Sequence, residues 1–267
     1  SANSGDQLSA LVDGIYYRGS QIVSPTDEAI AAKIDAVSSL SSQPRAKVWE
    51  VLGEEIVEKY IERTASLASN PGTLRIVYTA MHGVGTETIQ RVFHKAGFQS
   101  PILVEAQAAP DPDFPTVAFP NPEEPGAIDL ALETAKAFDA HLVIANDPDA
   151  DRCAAAVNDP ATGWRMLRGD ELGAIFAESI ARKIDSGIFA NSIVSSSIVK
   201  KIAAHYNLEF KETLTGFKWL AKIENLTFGY EEALGYAVDS ATVNDKDGVS
   251  AAITLAQIAT DLAADGK

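Results

Sequence analysis

The sequence predicts an α/β fold: two consecutive domains, each a mixed or parallel sheet with helices on both faces, preceded by a helical segment. Three observations carry that expectation. From residue 73 onward, short apolar runs alternate with segments of helical length, the order that builds mostly parallel sheets. Glycine and proline punctuate the joins, as in "MHGVG" and "SNPG". The strand–helix–strand layout then starts again near residue 166, without obvious identity between the two copies. The boundaries that follow are 1–71 for the leading segment and linker helices, 72–165 for one α/β domain and 166–267 for the next.

Taken in order, residues 1–23 read as irregular, with a short extended run at "GIYYRGSQIV". "SPTDEAIAAKIDAV" reads as a helix that Ser24 or Thr26 can cap, with Pro25 suited to its first turn and acids at its positive end. "EEIVEKYIERTASLA" follows, with Ile56, Tyr60 and Ile61 at helical spacing, and "SNPG" stops it. Then come the buried strand "LRIVYTA", the helix "TETIQRVFHKAGF" ended by Gly97, and the strand "PILVEA". A proline-rich loop leads to the helix "IDLALETAKAFD" and the strand "AHLVIAN", with "CAAAVN" and "GWRML" as a possible hairpin. The second domain is expected to hold the helix "RGDELGAIFAESIARKI", capped by Asp170, the strand "NSIVSSS", the helix "IVKKIAAHYN" and the strand "EFKETLT". "GFKWLAKIEN" reads as another helix, "LTFGYEEALGYAV" as two short strands around a turn, and "KDGVSAAITLAQIATDLAADGK" as a long helix.

Of the 267 residues, 46% are hydrophobic and 22% charged, the balance of a globular protein, and the length suits about two domains. The formal charge of −15 argues against a nucleic-acid surface and against an anionic membrane. No apolar run approaches the roughly 18 residues that cross a bilayer, and "SANSGDQ" has neither the basic start nor the apolar block of a secretory signal. The one cysteine, Cys153, permits no intrachain disulfide, so a reducing, cytoplasmic setting is expected. It reads as an inert buried thiol, since no histidine stands near it in sequence.

The chemistry concentrates in "NDPDADR", residues 146–152. On an extended backbone, alternate side chains share a face, so Asp147, Asp149 and Asp151 converge if the stretch stays extended. Pro148 favours that conformation in itself and in Asp147. Three converging carboxylates call for a cation, and hard oxygen ligands suit Mg²⁺. The loop also follows a strand directly, where open α/β sheets bind ligands. The competing reading is a solvated acidic turn. An EF-hand lacks its sixth-position glycine and distal glutamate here, and a dehalogenase-type phosphatase needs a different fifth residue in its "DxDx[TV]" motif. "HGVGTET" is no dinucleotide fingerprint, because Glu87 and Thr88 stand where its last glycine belongs, and His82 reads as structural.

Seven ordered segments resemble the α-D-phosphohexomutases, the phosphoglucomutase/phosphomannomutase family: "TAMHGVG", "FPNPEEPGA", "NDPDADR", "GDELGAIFA", "TGFKWLAK", "GYEEALGY" and "DKDGVSAA". They run from about residue 73 to the end. The resemblance implies a four-domain enzyme in which a phosphoserine donates to a hexose or pentose phosphate and a sugar bisphosphate turns over before returning its other phosphate. It implies that Asp147, Asp149 and Asp151 hold Mg²⁺ and that Arg152 steadies the same phosphate. It implies further that Glu231 and Glu232 accept hydrogen bonds from sugar hydroxyls, aimed by Gly229 and Gly235, and that Lys218 and Lys246 contact substrate or phosphate. Each lysine also has a plain reading as a solvated loop or helix position.

The family's serine segment, of "TASHNP" type, has no counterpart here; "TASLASNP" (64–71) is interrupted and lacks the histidine, so neither Ser66 nor Ser69 is expected to be phosphorylated. "GSQIVSPTDEAIAAKIDAV" resembles the helical tail of the family's first domain, and nothing after "LAADGK" resembles its fourth. The expectation is therefore a central fragment, catalytically silent alone. A non-catalytic sugar-phosphate or metal-binding protein and a metal-dependent sugar phosphatase remain the alternatives.

Overall fold

The computed structural model describes residues 16–17 and 20–266. Most of the irregular run expected at 1–23 lies outside them, but Tyr16–Tyr17 (β1) and Ser20–Gln21 (β2) form a small antiparallel ladder. The chain divides into two compact units between Glu58 and Lys59. In the first, α1 spans Thr26–Asp35. Neither expected residue caps it: Pro25 occupies the cap position, Thr26 is already helical, and the Ser24 hydroxyl donates to Glu28 Oε1 at 2.8 Å. A carboxylate in the first turn has taken the hydroxyl that would otherwise serve the backbone.

The second unit holds both sheets. In the first sheet β3 (Ile76–Thr79) lies centrally between β4 (Ile102–Leu103) and β5 (Leu142–Ala145), all parallel. β6 (Ala154–Asp159) and β7 (Gly163–Met166) extend it as the expected antiparallel hairpin. Every residue of β3 and β5 is buried, as strands covered on both faces must be. β4 is shorter than "PILVEA" suggested, because the chain turns into a 3₁₀ helix at Glu105–Gln107. The helices between these strands are α3 (Gly85–Lys95) and α4 (Asp129–Ala137).

The second sheet has β8 (Ile188–Ser192) between parallel neighbours β9 (Glu209–Thr213) and β10 (Leu226–Glu231), with β11 (Gly235–Ala237) antiparallel at the edge. β8 begins earlier than expected: the apolar "IFA" makes the strand, while Ser195–Ser197 turn toward α6 (Ile198–His205). α5 (Gly169–Ala181) is not capped by Asp170, which lies inside its first turn and accepts the Ser196 N–H and the Tyr230 hydroxyl instead. Glu171 reaches back to the Arg168 N–H. "GFKWLAKIEN" makes a single turn, α7 (Phe217–Leu220), because Phe217 and Leu220 bury at once and the chain must enter β10. α8 (Gly248–Ala264) is capped by Asp247, whose carboxylate accepts the Val249 and Ser250 N–H groups.

One apolar core runs through both sheets. Tyr78 and Ile144 contribute from the first, Phe189, Phe228, Tyr230 and Tyr236 from the second, and Phe176 from α5. Tyr230 stacks on Tyr236 with centroids 6.4 Å apart, and Phe228 on Tyr230 at 6.1 Å. The helix α2 (Glu54–Ala65) adds Ile61 and Ala65 to this core, while Arg63 clasps Asp239 through two bonds of 2.8 and 2.6 Å. Among the described residues, no helix is long and apolar enough to cross a membrane.

Candidate functional site

The aspartate loop leaves β5 at its carboxyl end and is held at both of its own ends by one side chain. Asn146, fully buried, accepts the Tyr78 hydroxyl at 2.9 Å and donates through Nδ2 to the Arg152 carbonyl at 2.6 Å. The backbone between is not extended, contrary to the sequence expectation. Ala150 takes φ +59° and donates its N–H to the Asp147 carbonyl at 2.9 Å, so the chain turns over Pro148 and Asp149. The three carboxylates still converge, one oxygen of each lying within 4.8 Å of the others. Asp147 is buried, Asp151 half-buried and Asp149 exposed.

Two neighbouring helix starts brace the turn. The Val84 N–H donates to the Pro148 carbonyl at 2.9 Å, at the start of α3, and the Gly248 N–H to the Ala150 carbonyl at 3.0 Å, at the start of α8. Gly248 has no alternative, since a Cβ there would run into the Arg152 and Ala150 carbonyls and Asn146 Nδ2. Tyr60 donates to both oxygens of Asp247, at 2.8 and 3.0 Å. A cleft of about 290 Å³ opens here, lined by Tyr60, Thr88, Asp149, Asp151, Lys246 and Asp247.

Burial pushes the Asp147 carboxyl up to about 6; the Arg152 N–H, 2.9 Å from Oδ1, opposes that rise, while Asp151 and Asp149 add to it. The Arg152 guanidinium stands 3.5 Å from Asp147 Oδ2 and 3.9 Å from Asp151 Oδ1. Lys246 Nζ lies 2.7 Å from Asp151 Oδ2. Burial lowers the Lys246 ammonium, but Asp151 and Asp245 more than reverse that, and its pKa is raised.

The sugar-loop candidates meet this cluster through the backbone. Arg152 bridges Gly235 in antiparallel fashion, and the Cys153 N–H donates to the Leu234 carbonyl at 3.0 Å. Glu231, at the end of β10, accepts the Gly216 N–H at 2.6 Å. Burial raises its carboxyl; the Gly216 N–H, Lys246 and Arg152 lower it and Glu232 raises it, so both cations lie within electrostatic reach. Glu232 Oε2 already accepts two hydroxyls, Ser192 at 3.0 Å and Ser195 at 2.8 Å. Gly229 lies within β10, opposite Ala237, and not in the turn. Lys218 stays against its own helix, with Nζ 5.8 Å from the Trp219 ring centroid, rather than in the acidic cluster.

Sequence reasoning passed over two groups. Glu123, from "FPNPEEPGA", belongs to the same electrostatic neighbourhood: partial burial raises its carboxyl, Arg152 lowers it and Glu232 raises it. Asn146 carried no signal beyond preceding the aspartates. His82 is structural, buried with Nε2 2.8 Å from Thr116 Oγ1. Burial raises the Cys153 thiol pKa, and no cation offsets it. The Ser66 hydroxyl donates to the Arg63 carbonyl at 2.6 Å, closing the end of α2.

An acidic loop at the carboxyl end of one α/β sheet is joined by backbone to a glutamate loop of the next, a two-sheet α/β arrangement, and the chain belongs to the phosphoglucomutase/phosphomannomutase family. Residues 57–163 match the family's alpha/beta/alpha domain II and residues 168–265 its alpha/beta/alpha domain III. A probable phosphomannomutase of Haemophilus influenzae is 48% identical over 254 residues, covering 93% of this chain and 52% of that protein. The phosphoribomutase of Saccharomyces cerevisiae is 38% identical, covering 91% of this chain and 46% of its own length. The crystal structure of a phosphoglucomutase/phosphomannomutase family protein from Burkholderia thailandensis superposes with a TM-score of 0.76 at 19% identity, over 93% of this chain and 54% of that one; it speaks for the fold alone. The chain spans about half the length of the curated relatives it matches.

Proposed function

We propose that this chain is the central part of an Mg²⁺-dependent mutase that moves a phosphoryl group between positions of a hexose or pentose phosphate through a sugar bisphosphate. In this reading residues 72–165 form the metal-binding domain and 166–267 the sugar-binding domain. The phosphoserine that donates the group lies outside this sequence. The observation that carries the proposal is the convergence of three carboxylates within 4.8 Å, on a loop bridged directly to the glutamate loop.

The donor set fits the metal: hard carboxylate oxygens from Asp147, Asp149 and Asp151, with no thiol or imidazole among them. When bound, Mg²⁺ supplies neutralisation of charge on the transferring phosphoryl group. The chain's own residues do the rest. Arg152, held by its bridge to Gly235, offers guanidinium donors to phosphate oxygens and stays paired to the loop until they arrive. Glu231 accepts from a sugar hydroxyl while the Gly216 N–H fixes its other side. Glu232 is held by Ser192 and Ser195 and accepts a further hydroxyl or fixes the loop. Gly235 sets the approach of that loop, Gly229 the strand beneath it, and Lys246 and Lys218 supply positive charge to the substrate phosphate.

The test is a titration with Mn²⁺ as a paramagnetic stand-in, competed by Mg²⁺, with Asp149→Asn as control. The reading expects one site per chain, emptied by Mg²⁺ and weakened in the variant. Absence of binding, persisting when the missing domains are restored, would reduce the loop to an acidic turn.

A further inference from the structure

The aspartate loop carries its own cations. Lys246 Nζ lies 2.7 Å from Asp151 Oδ2 and 3.7 Å from Asp245 Oδ1, while Arg152 stands against Asp147 and Asp151. The three loop aspartates and Asp245 sum to −4, and Lys246 with Arg152 returns +2. The Lys246 side chain is only 16% exposed, so this pair is largely out of solvent.

Its stem is fixed by another loop altogether. A Cβ on Gly235 would stand 2.7 Å from Lys246 Cδ, so the absence of a side chain there is what lets the lysine cross the glutamate loop. The ammonium also lies 5.7 Å from the Phe217 ring centroid. The stem thus belongs to the sugar-facing side and only the head reaches the metal-facing side. An ammonium and a divalent ion cannot both own the same carboxylate oxygen. Mg²⁺ demands a close, ordered oxygen shell, whereas the lysine head is a compact charge on a flexible stem that can be re-aimed.

We propose that Lys246 is a placeholder cation, which the divalent metal displaces from Asp151, and that the freed ammonium then meets an anionic group of the substrate. Metal loading arms the anion site. With Mg²⁺ in place the cluster goes from −2 to 0, which removes the repulsion a phosphate would meet and leaves the ammonium free to pair with it. The exchange rests on the metal reading above.

The test follows the lysine head itself. Lysines of the chain are reductively methylated with ¹³C-formaldehyde, which keeps their charge, and the Lys246 signal is assigned by its loss in Lys246→Arg. Site filling is followed independently by Mn²⁺ competition. The Lys246 signal should move in step with Mg²⁺ saturation, toward the position it takes in metal-free Asp151→Asn, while other lysines hold still. Inorganic phosphate, the anion probe, should move it further only after Mg²⁺ has saturated the site. Lys246→Met should bind Mn²⁺ about tenfold more tightly, since a competing charge is gone. A filled site with the Lys246 signal unmoved overturns the exchange and leaves the metal reading standing. A phosphate response equal with and without Mg²⁺ overturns the arming step. A site that takes no metal overturns both.

Discussion

Asn146 is the residue on which the geometry of the aspartate loop should depend most, though it is none of the three converging carboxylates. It spans the loop from first residue to last: Tyr78 hydroxyl to Oδ1 at 2.9 Å, Nδ2 to the Arg152 carbonyl at 2.6 Å. Both Asn146 and Tyr78 are essentially without solvent access. Asn146→Ala strands a buried phenol and a part-buried carbonyl at once. Each unsatisfied buried group costs about 1–3 kcal/mol, so the variant should lose roughly 3–4 kcal/mol after partial relaxation. Tyr78→Phe strands only Oδ1 and should lose about 1–2 kcal/mol. The double variant should lose less than the sum, because the two residues share one bond. Urea unfolding of the four proteins measures the cycle. Mn²⁺ affinity measured on the folded variants should fall about tenfold in Asn146→Ala and about threefold in Tyr78→Phe, following the loosened loop. An Asn146→Ala protein within about 0.5 kcal/mol of the parent, with unchanged Mn²⁺ affinity, would refute the clasp.

Three further outcomes follow from the same contacts. Gly248→Ala places a Cβ against the Ala150 and Arg152 carbonyls, and should cost about 2–4 kcal/mol in urea unfolding while weakening Mn²⁺ binding. Because burial holds Asp147 near 6, its proton competes with the metal. Mn²⁺ affinity should be level above about pH 7 and fall by up to about tenfold per unit below 6, and a flat profile from 7 to 5 would exclude Asp147 as a ligand. Tyr60, Tyr78, Tyr230 and Tyr236 all have raised pKa values, burial being the largest cause in each. The unfolded chain releases those protons near pH 10 while the folded one retains them, so the stability they hold is complete below about 10 and is lost as pH rises. Each contributes a slope of up to about 1.4 kcal/mol per unit, and Tyr60→Phe should flatten the alkaline loss seen in thermal melts between pH 9 and 11 by one such share.

What could be read from the residues and what could not divide along a physical line. β3 and β5 were legible because a strand buried on both faces must be apolar throughout, and the alternation with helices fixed the class of sheet. The hairpin of β6 and β7 was legible for a similar local reason. The caps were not: Asp170 has the right chemistry for a cap, but Ser196 and Tyr230 claim it from other elements. Such choices depend on partners distant in sequence, which local propensity does not contain.

The aspartate loop makes the same distinction sharper. Its residue types announced converging carboxylates, and they do converge, yet the reason offered for it, an extended backbone, does not hold. The carboxylates meet because Ala150 adopts φ +59°, a conformation costly for alanine and unmarked by any glycine or asparagine at that position. What holds Ala150 there comes from elsewhere: its carbonyl receives the Gly248 N–H, and Asn146 ties the loop's ends beneath it. The strain is therefore borne by contacts from the second sheet's long helix and by a hydroxyl from β3. The two sheets cannot be treated as carrying separate sites, since the aspartate loop owes its shape to contacts from both and part of its charge balance to Lys246, just ahead of the second sheet's long helix. A substitution on either side of that seam should move both.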